Sequence, residues 1–342
     1  MRKPFAPPVG RLLPAAFALD PGLQLNLFDA RLLARLSAVL DIDASAPISD
    51  VHAADPARLA GLEVLITGWG APTIGAAELE LMPRLRAIIH AAGTVKEHLE
   101  PAVWDRGILV TTAAAANAYP VAEYTLAMIL LAGKGVLPIV REYRADPHLD
   151  VAARHPDIGN FRRTVGIIGA SSVGRLVIEL LRPFDFEVLV YDPVIDDADP
   201  LLASARRVGL DELFALSSIV SVHAPLLPET VGMVGARQLA LLEPGATLIN
   251  TARAPLVDQG ALADAVAAGR LQAVLDVTDP EPLPAGDRLR TLPAVLLTPH
   301  VAGALGNELL RLGESAVREV ELLAAGRPAA FPIRKSDLAA RA

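Results

Sequence analysis

The stretch of sequence that decides the fold is TVGIIGASSVGRLVIELLRPFDFEVLVYD, which occupies residues 164–192. It reads as an apolar strand, a glycine turn, a helix, a second apolar strand and a final acid. Gly169 closes the tight turn after the first strand, and Gly174 lets the helix predicted over Arg175–Phe184 pack against the sheet. The amino terminus of this helix points at the turn, where a pyrophosphate binds in such units. The stretch therefore predicts a dinucleotide site.

Asp192 ends the second strand, at the position where such sites carry an acid. Its carboxylate can accept hydrogen bonds from both hydroxyls of an adenosine ribose, and the same charge repels a 2′-phosphate. The next two residues are Pro193 and Val194, so no basic side chain directly follows the acid. This pattern favours NAD over NADP.

One position departs from the usual glycine fingerprint. The middle glycine is replaced by Ser171, so a side chain stands where bare backbone normally approaches the pyrophosphate. For this motif alone, the alternative is an ordinary strand-to-helix turn that binds no ligand.

The composition indicates a globular chain with a small-molecule partner. The 342 residues suffice for two domains, and 52% of them are hydrophobic. The formal net charge is -8, and the basic residues are scattered along the chain. This charge pattern argues against nucleic acid or an anionic membrane surface as a partner.

The chain contains no cysteine, which excludes disulfides, thiolate catalysis and cysteine metal sites. We expect no metal site. Arg2 and Lys3 are followed by prolines instead of the apolar core of a signal peptide, and the longest apolar stretch, Leu126–Ala132, is too short to span a bilayer. We therefore expect a soluble, cytoplasmic protein with no membrane contact.

Apolar strand-like runs alternate with helical patterns along most of the chain, which predicts parallel sheets. The runs are Val64–Thr67, Ala87–His90, Ile108–Thr112, Val165–Ile168, Val188–Tyr191, Ile219–Val222, Thr247–Asn250, Val274–Val277 and Val295–Thr298. They outnumber the strands of one six-stranded dinucleotide domain, so we expect two α/β domains. The pattern also predicts a helix that begins near Pro120, an irregular connection over Arg141–Phe161 and an amphipathic helix over Asn307–Ala325.

Three polar residues each follow one of the last three predicted strands: Arg253, Glu281 and His300. Ligands of open parallel sheets bind beyond the carboxyl ends of the strands, so all three can reach one crevice. A guanidinium can grip the carboxylate of a 2-oxo acid and polarise its carbonyl. A histidine can deliver the proton that reduction needs, and a carboxylate beside the imidazole orients the ring and favours its charged form. Taken singly, each residue has an ordinary structural explanation.

These residues lie in motifs that resemble those of the D-isomer-specific 2-hydroxyacid dehydrogenases. The motifs are NTAR at 250–253, DVTDPEP at 276–282 and TPHVAG at 298–303, and the resemblance runs from about Ala87 to Arg327. It implies a catalytic set of Arg253, Glu281 and His300. It also implies two Rossmann-like parallel-sheet domains, with an NAD-binding domain at 119–304 inserted in a discontinuous substrate domain at 1–118 and 305–342. The family further implies a homodimer.

The cofactor and substrate residues follow from the glycine turn and from the same resemblance. The predicted cofactor residues are Gly169, Ser171, Ser172, Val173, Gly174, Asp192, Ala224, Pro225, Thr251, Ala252, Asp276 and Gly303. By the resemblance, backbone amides around Ala92, Gly93 and Thr94 would hold the substrate carboxylate. Trp69 either lines the substrate pocket or packs in the core or an interface, which is the commoner place of a lone tryptophan. The family often has a basic residue at position 172, so phosphate contacts here would depend on backbone amides and hydroxyls.

The predicted function is the NAD-dependent interconversion of a small 2-oxo acid and its D-2-hydroxy acid, similar to a glyoxylate or hydroxypyruvate reductase. The loop over residues 67–72 contains no basic residue, which argues against a phosphorylated substrate. Formate-type members of the family carry Gln where this chain has Glu281, which argues against that branch. The alternative is an NAD(H)-responsive binding protein of the same fold without turnover.

Overall fold

The computed structural model describes residues 11–339, so Arg2, Lys3 and the following prolines lie outside the described residues. The chain forms two compact units, which are Met1–Asn117 with Ala304–Ala342, and Ala118–Gly303. The units change after Asn117 and after Gly303, and the predicted domains change one residue later, after 118 and after 304.

Twelve strands lie within residues 11–339, and every strand pair is parallel. They are β1 (Leu13–Ala18), β2 (Leu40–Ile42), β3 (Val64–Thr67), β4 (Ala87–His90), β5 (Leu109–Thr112), β6 (Thr164–Ile168), β7 (Glu187–Tyr191), β8 (Arg206–Arg207), β9 (Ile219–Val222), β10 (Thr247–Asn250), β11 (Gln272–Leu275) and β12 (Val295–Leu297).

Thirteen α-helices lie within the same residues. They are α1 (Leu23–Leu27), α2 (Ala30–Ser37), α3 (Pro56–Gly61), α4 (Ala76–Leu81), α5 (Ala102–Asp105), α6 (Ala114–Gly133), α7 (Val136–Ala145), α8 (Val151–Arg154), α9 (Ser172–Leu181), α10 (Leu210–Leu216), α11 (Ala236–Leu241), α12 (Gln259–Ala267) and α13 (Leu309–Ala324). No single helix of the described chain is long and apolar enough to cross a bilayer, although the bent pair α6 and α7 meets the criterion of length and composition together.

The first unit contains a five-stranded sheet in the order β2-β1-β3-β4-β5. Side chains alternate between its faces, so Leu13 and Phe17 of β1 join one apolar cluster while Ala16 joins the other. Helix α13 buries Leu312 and Val317 in the first cluster. The prediction of a discontinuous domain that includes the carboxy-terminal helix is therefore confirmed.

The second unit contains a seven-stranded sheet in the order β12-β11-β10-β9-β6-β7-β8. Apolar layers cover both of its faces, as the near-continuous apolar runs of its strands require. The predicted fold class of two parallel-sheet α/β domains is thus confirmed.

Several predicted boundaries are wrong. Helix α6 begins at Ala114, earlier than predicted, and carries Pro120 in its interior. At its start the Ala113 carbonyl accepts the first helical hydrogen bond, from the Asn117 amide, and the Thr112 hydroxyl accepts one from the Ala114 amide. Helix α9 begins at Ser172, because Ser171 is its N-cap, and ends at Leu181. The region predicted as irregular from Arg141 contains the end of α7 and all of α8. Neither helix buries a side chain, so no core-facing period marks them in the sequence.

Strand predictions also differ from the structure. Strand β11 covers Gln272–Leu275 instead of Val274–Val277, because the chain leaves the sheet where the Asp276 carboxylate binds the amides of Val301 and Ala302. Strands β1, β2 and β8 are not predicted. The sequence of β1, LPAAFA, consists mainly of alanine and proline, which are weak strand formers, and its position between β2 and β3 stabilises it instead.

The contact between α13 and α1 predicts a stability effect of Gly313→Ala. A Cβ atom at Gly313 would lie 1.8 Å from the carbonyl oxygen of Leu27, so one helix has to move. Alanine otherwise stabilises a helix relative to glycine, but we expect a net loss of about 1–3 kcal/mol in the free energy of unfolding. Thermal or urea unfolding measures it.

The matched control is Gly61→Ala. Gly61 ends helix α3, and a Cβ atom there meets nothing within 4 Å. We expect this variant to equal or exceed the wild type in stability. A Gly313→Ala variant as stable as the Gly61→Ala variant would contradict the close approach of α13 to α1.

Candidate active site

The predicted site residues of the second unit follow the carboxyl ends of its strands. Gly169 follows β6, Asp192 follows β7, Arg253 follows β10, Asp276 follows β11 and His300 lies beyond β12. Because the strands are parallel, their carboxyl ends meet at one edge of the sheet, and β10, β11 and β12 are direct neighbours there.

The glycine turn leaves no room for side chains at its two glycines. Gly169 has a φ of +96°, and a Cβ atom there would lie 2.7 Å from the backbone nitrogen of Ala224. A Cβ atom on Gly174 would lie 2.0 Å from the carbonyl oxygen of Gly169. Both positions therefore require glycine, for the tight turn and for the packing of α9 against it.

Ser171 caps helix α9. Its hydroxyl oxygen accepts a hydrogen bond from the Gly174 amide at 3.4 Å, so the side chain is turned back onto the helix. Within residues 11–339, the amides of Ser171, Ser172 and Val173 donate no hydrogen bond. Free amides at the amino terminus of a helix bind phosphate oxygens, so the turn suits a pyrophosphate despite the missing glycine.

The Asp192 carboxylate closes the turn onto strand β7. One oxygen accepts a hydrogen bond from the Ala170 amide at 2.7 Å, and the other accepts one from the Val194 amide at 2.9 Å. An ionised carboxylate has about four acceptor positions, so two remain for ribose hydroxyls.

Arg175, which directly follows Gly174, has a structural partner that the sequence analysis missed. Its guanidinium makes two hydrogen bonds with Asp199, at 2.9 and 2.5 Å, and Nε donates to the Ala170 carbonyl. This bidentate pair holds the pKa of Asp199 at about 2. The basic side chain nearest to the glycine turn in sequence is thus already paired.

The loop after β9 carries the predicted residues Ala224 and Pro225. The Thr230 hydroxyl donates to the Pro225 carbonyl at 2.7 Å and accepts from the Leu227 amide at 2.8 Å, which fixes this loop. The neighbouring His223 is fully buried against Ser221, and burial lowers its pKa to about 3. It is a neutral packing residue.

Asn250 fixes the segment that carries Arg253. Its side-chain amide donates to the Arg253 carbonyl and accepts from the Ala252 amide, both at 3.0 Å. The half-buried Arg253 guanidinium donates to the Ala252 carbonyl at 2.7 Å, and the Thr251 hydroxyl contacts that of Thr125 at 3.1 Å. Arg253 makes no hydrogen bond with Glu281 or His300 in the described part of the chain.

Asp276 is buried and fixes the segment that carries His300. Its carboxylate accepts hydrogen bonds from the Thr298 hydroxyl at 2.6 Å and from the Val301 and Ala302 amides at 2.8 and 2.9 Å. The Thr298 hydroxyl donates its proton to this carboxylate. The Tyr124 hydroxyl, 2.8 Å away, therefore donates to the Thr298 oxygen. Burial raises the pKa of Tyr124 and keeps it a donor.

Sequence reasoning missed Tyr124, Thr298 and Asn250 as members of the site. The available signal for Asn250 and Thr298 was their place within the motifs at 250–253 and 298–303, and Tyr124 lies within the wider resemblance from about Ala87 to Arg327.

His300 and Glu281 form the only predicted catalytic pair in direct contact within residues 11–339. The distance from His300 Nδ1 to Glu281 Oε1 is 2.9 Å, and both side chains are exposed. His300 has a φ of +56°, a left-handed conformation that costs energy for a residue other than glycine. The hydrogen bonds from the Val301 and Ala302 amides to Asp276 maintain this conformation. Its Nε2 atom has no hydrogen-bond partner among the described residues, so it is available to a ligand.

The predicted substrate loop belongs to the first unit, where it follows β4. Ala92 is buried, Gly93 and Thr94 are partly exposed, and their backbone amides donate no hydrogen bond within residues 11–339. Trp69, which follows β3, is 41% exposed and therefore not a core residue.

Two buried histidines support this loop. The Thr67 hydroxyl lies 2.9 Å from His90 Nδ1, and the His90 and His98 rings stack with centroids 4.6 Å apart. Burial, with the nearby His98, lowers the pKa of His90 to about 3, and burial lowers that of His98 to about 4. Both rings are therefore neutral packing groups.

Comparison with known proteins identifies the family. Residues 126–302 match the family model described as D-isomer specific 2-hydroxyacid dehydrogenase, NAD binding domain. The chain is 33% identical over 258 residues to the D-3-phosphoglycerate dehydrogenase of Mycobacterium leprae (strain TN), a match over 75% of this chain and 48% of that protein. The match thus spans about half the length of that relative.

Two further relatives match over most of their own length. The glyoxylate reductase of Thermofilum pendens (strain DSM 2475 / Hrk 5) is 31% identical over 277 residues, which are 78% of this chain and 80% of that protein. The solved structure of the 2-hydroxyacid dehydrogenase from Ketogulonicigenium vulgare Y25 matches with a TM-score of 0.73 and 27% identity, over 94% of this chain and 99% of the other. The chain belongs to the D-isomer specific 2-hydroxyacid dehydrogenase family.

Proposed function

We propose that this chain is an NAD-dependent dehydrogenase that interconverts a small, unphosphorylated 2-oxo acid and its D-2-hydroxy acid. The observation that carries the proposal is the His300–Glu281 pair, which leaves His300 Nε2 free at the strand edge that also holds Arg253 and the glycine turn. A proton donor, a cation and a phosphate-binding turn on one sheet edge are the parts that this reaction needs.

The proposed reduction assigns each residue a step. NADH, when bound in the second unit, would supply the hydride that C2 of the oxo acid accepts. The Arg253 guanidinium binds the substrate carboxylate and polarises the C2 carbonyl. His300 Nε2 gives its proton to the carbonyl oxygen, and the Glu281 carboxylate holds the ring by Nδ1. In oxidation, His300 takes the proton back.

The cofactor contacts of the proposal use the second unit alone. The free amides of Ser171, Ser172 and Val173 would bind the pyrophosphate, and Asp192 would bind the adenosine ribose. Ala224, Pro225, Thr251, Ala252, Asp276 and Gly303 complete the proposed set. Among these, Asp276 also has a structural task, since it already accepts three hydrogen bonds from the segment of His300.

Charges favour NAD over NADP in this proposal. Asp192 would stand beside a 2′-phosphate and repel it, and Arg175, the basic residue nearest to the glycine turn in sequence, is already paired with Asp199. A 2′-phosphate would therefore meet a negative charge without a free cation from this turn.

The charge of the loop that contains Trp69 favours an unphosphorylated substrate. This loop has no basic residue, and the carboxylate of Asp20 lies against it, because a Cβ atom on Gly70 would be 2.0 Å from Asp20 Oδ1. A negative charge there opposes a phosphate group. Glyoxylate and hydroxypyruvate are therefore better candidates than the phosphorylated acid that the name of the mycobacterial relative indicates.

We also propose a homodimer and a cytoplasmic location. Apolar side chains of α6 and α7 are exposed, among them Leu131, Val140 and Tyr143. Exposed apolar groups on successive helices are compatible with a protein interface. The location stays a prediction.

The reaction class is tested by NADH oxidation with purified protein. We expect turnover with at least one acid among glyoxylate, hydroxypyruvate, pyruvate, phenylpyruvate and oxaloacetate. The kcat/KM for 3-phosphohydroxypyruvate should be at least about tenfold lower than that for hydroxypyruvate, which corresponds to about 1.4 kcal/mol of unfavourable charge interaction. NADH binding without turnover across this panel would instead favour the binding protein that lacks catalysis.

The role of His300 predicts that His300→Ala lowers kcat about 10²- to 10⁴-fold, the usual contribution of a general acid. The Kd for NADH, measured by fluorescence titration, should stay within about twofold, because the His300 ring is not a proposed cofactor contact. His148→Ala is the matched control, since His148 is exposed and its ring makes no hydrogen bond in the described structure. Equal kcat values for both variants would refute the role of His300.

The role of Asp192 predicts a change of cofactor preference in Asp192→Asn. Removal of the charge should move the ratio of kcat/KM for NADH over NADPH about tenfold toward NADPH, because the repulsion of the 2′-phosphate is relieved. Asp196→Asn is the control, since Asp196 is an exposed acid of the same loop. An unchanged ratio in Asp192→Asn would contradict the assignment.

A further inference from the structure

Thr112 links the end of strand β5 to the loop that follows β4. Its hydroxyl donates to the carbonyl oxygen of Ala92 at 2.9 Å and is also within hydrogen-bond distance of the carbonyl oxygen of Gly93. The Ala113 amide adds a second donor to the Ala92 carbonyl at 3.1 Å. Two successive carbonyl groups of this loop are therefore held on the side of β5.

The position of these carbonyls determines the direction of two amides. The carbonyl of Ala92 and the N–H of Gly93 belong to one peptide group, and the carbonyl of Gly93 and the N–H of Thr94 belong to the next. A trans peptide is planar, and its C=O and N–H point in opposite directions. Because both carbonyls point toward Thr112, both N–H groups point away from it, and neither donates a hydrogen bond within residues 11–339.

We propose that Thr112 is a positioning residue for the substrate carboxylate, because its hydroxyl orients the peptide groups whose amides at Gly93 and Thr94 receive that anion. Successive backbone amides that point to one side form a concave site for anions. The inference rests on the proposed function, since it assumes that a carboxylic acid is the ligand. Thr112 itself does not touch the substrate.

The surroundings of the hydroxyl direct its single proton. The Thr112 oxygen accepts a hydrogen bond from the Ala114 amide at 3.2 Å, which occupies its acceptor side. Its proton is therefore left for the two carbonyl oxygens, which share it. A serine can reproduce these bonds, whereas a valine of nearly the same shape cannot.

The neighbouring residue provides a matched control. Thr111 is fully buried, and its hydroxyl has no hydrogen-bond partner in the described structure. Thr111→Val thus makes the same chemical change one residue away without removing a described hydrogen bond. The two substitutions separate the loss of a loop contact from the general effect of a valine in β5.

The test is calorimetric binding of oxamate, an unreactive analogue of a 2-oxo acid, to the full-length protein saturated with NADH. We expect Thr112→Val to weaken oxamate binding about 10- to 100-fold, which corresponds to the loss of one or two bonds to a charged group. Thr112→Ser and Thr111→Val should stay within about threefold of the wild type. The Kd for NADH should not change in any variant.

Steady-state kinetics give a second readout. In Thr112→Val we expect the KM for the oxo acid to rise at least about tenfold, with kcat and the KM for NADH within about threefold, since the reacting groups are untouched. Equal oxamate affinity in the wild type and Thr112→Val overturns the inference, whatever the turnover. Failure of the wild type to bind oxamate overturns it as well.

The proposed function has a separate criterion. A wild type that binds oxamate but reduces none of the oxo acids refutes the proposed activity and leaves the role of Thr112 to be decided by the binding series. If Thr112→Val does not fold, as judged by circular dichroism, Thr112→Ala replaces it under the same criteria, because it also lacks the hydroxyl.

Discussion

The geometry of the candidate site depends above all on the buried carboxylate of Asp276. Burial of a charge is costly unless hydrogen bonds compensate it, and Asp276 receives three, from the Thr298 hydroxyl and the amides of Val301 and Ala302. These bonds hold the chain in the turn where His300 adopts a left-handed conformation. The Tyr124 hydroxyl extends the network to helix α6. The position of the proposed proton donor is therefore set by an acid that need not take part in the chemistry.

Polar side chains at the ends of other strands act in the same way. Asn250 binds the Ala252 amide and the Arg253 carbonyl, and Asp192 binds an amide of the turn after β6 and an amide just after its own strand β7. In the first unit, the Thr112 hydroxyl binds carbonyls of the loop after β4. In each case the side chain supplies hydrogen bonds that the backbone loses when it leaves the sheet, and the loop thereby takes one conformation. Rigid loops of this kind are suited to bind ligands without a large cost in conformational entropy.

The hydrophobic pattern of the sequence predicts some secondary-structure elements of this protein well and misses others. Strands with continuous apolar runs, such as β9 and β10, are predicted to the residue, because buried parallel strands have a composition of their own. Strand β1 is missed because its alanines and proline give no such signal. The predicted starts of α6 and α9 are wrong, and the start of α9 depends on the cap by Ser171. A cap is a contact of a single side chain and leaves little trace in a hydrophobic pattern.

The sequence by itself determined the two α/β domains, the glycine turn, and the order of Arg253, Glu281 and His300 behind successive strands. These features depend on local propensity and on the rule that parallel strands end at one edge of a sheet. Only the tertiary structure decided that Ser171 turns its side chain onto its own helix, that Arg175 is paired with Asp199, and that Thr112 holds the carbonyls of Ala92 and Gly93. The physical reason is that a hydrogen bond between distant residues depends on the position and direction of two groups in space, which the fold sets and no local pattern encodes.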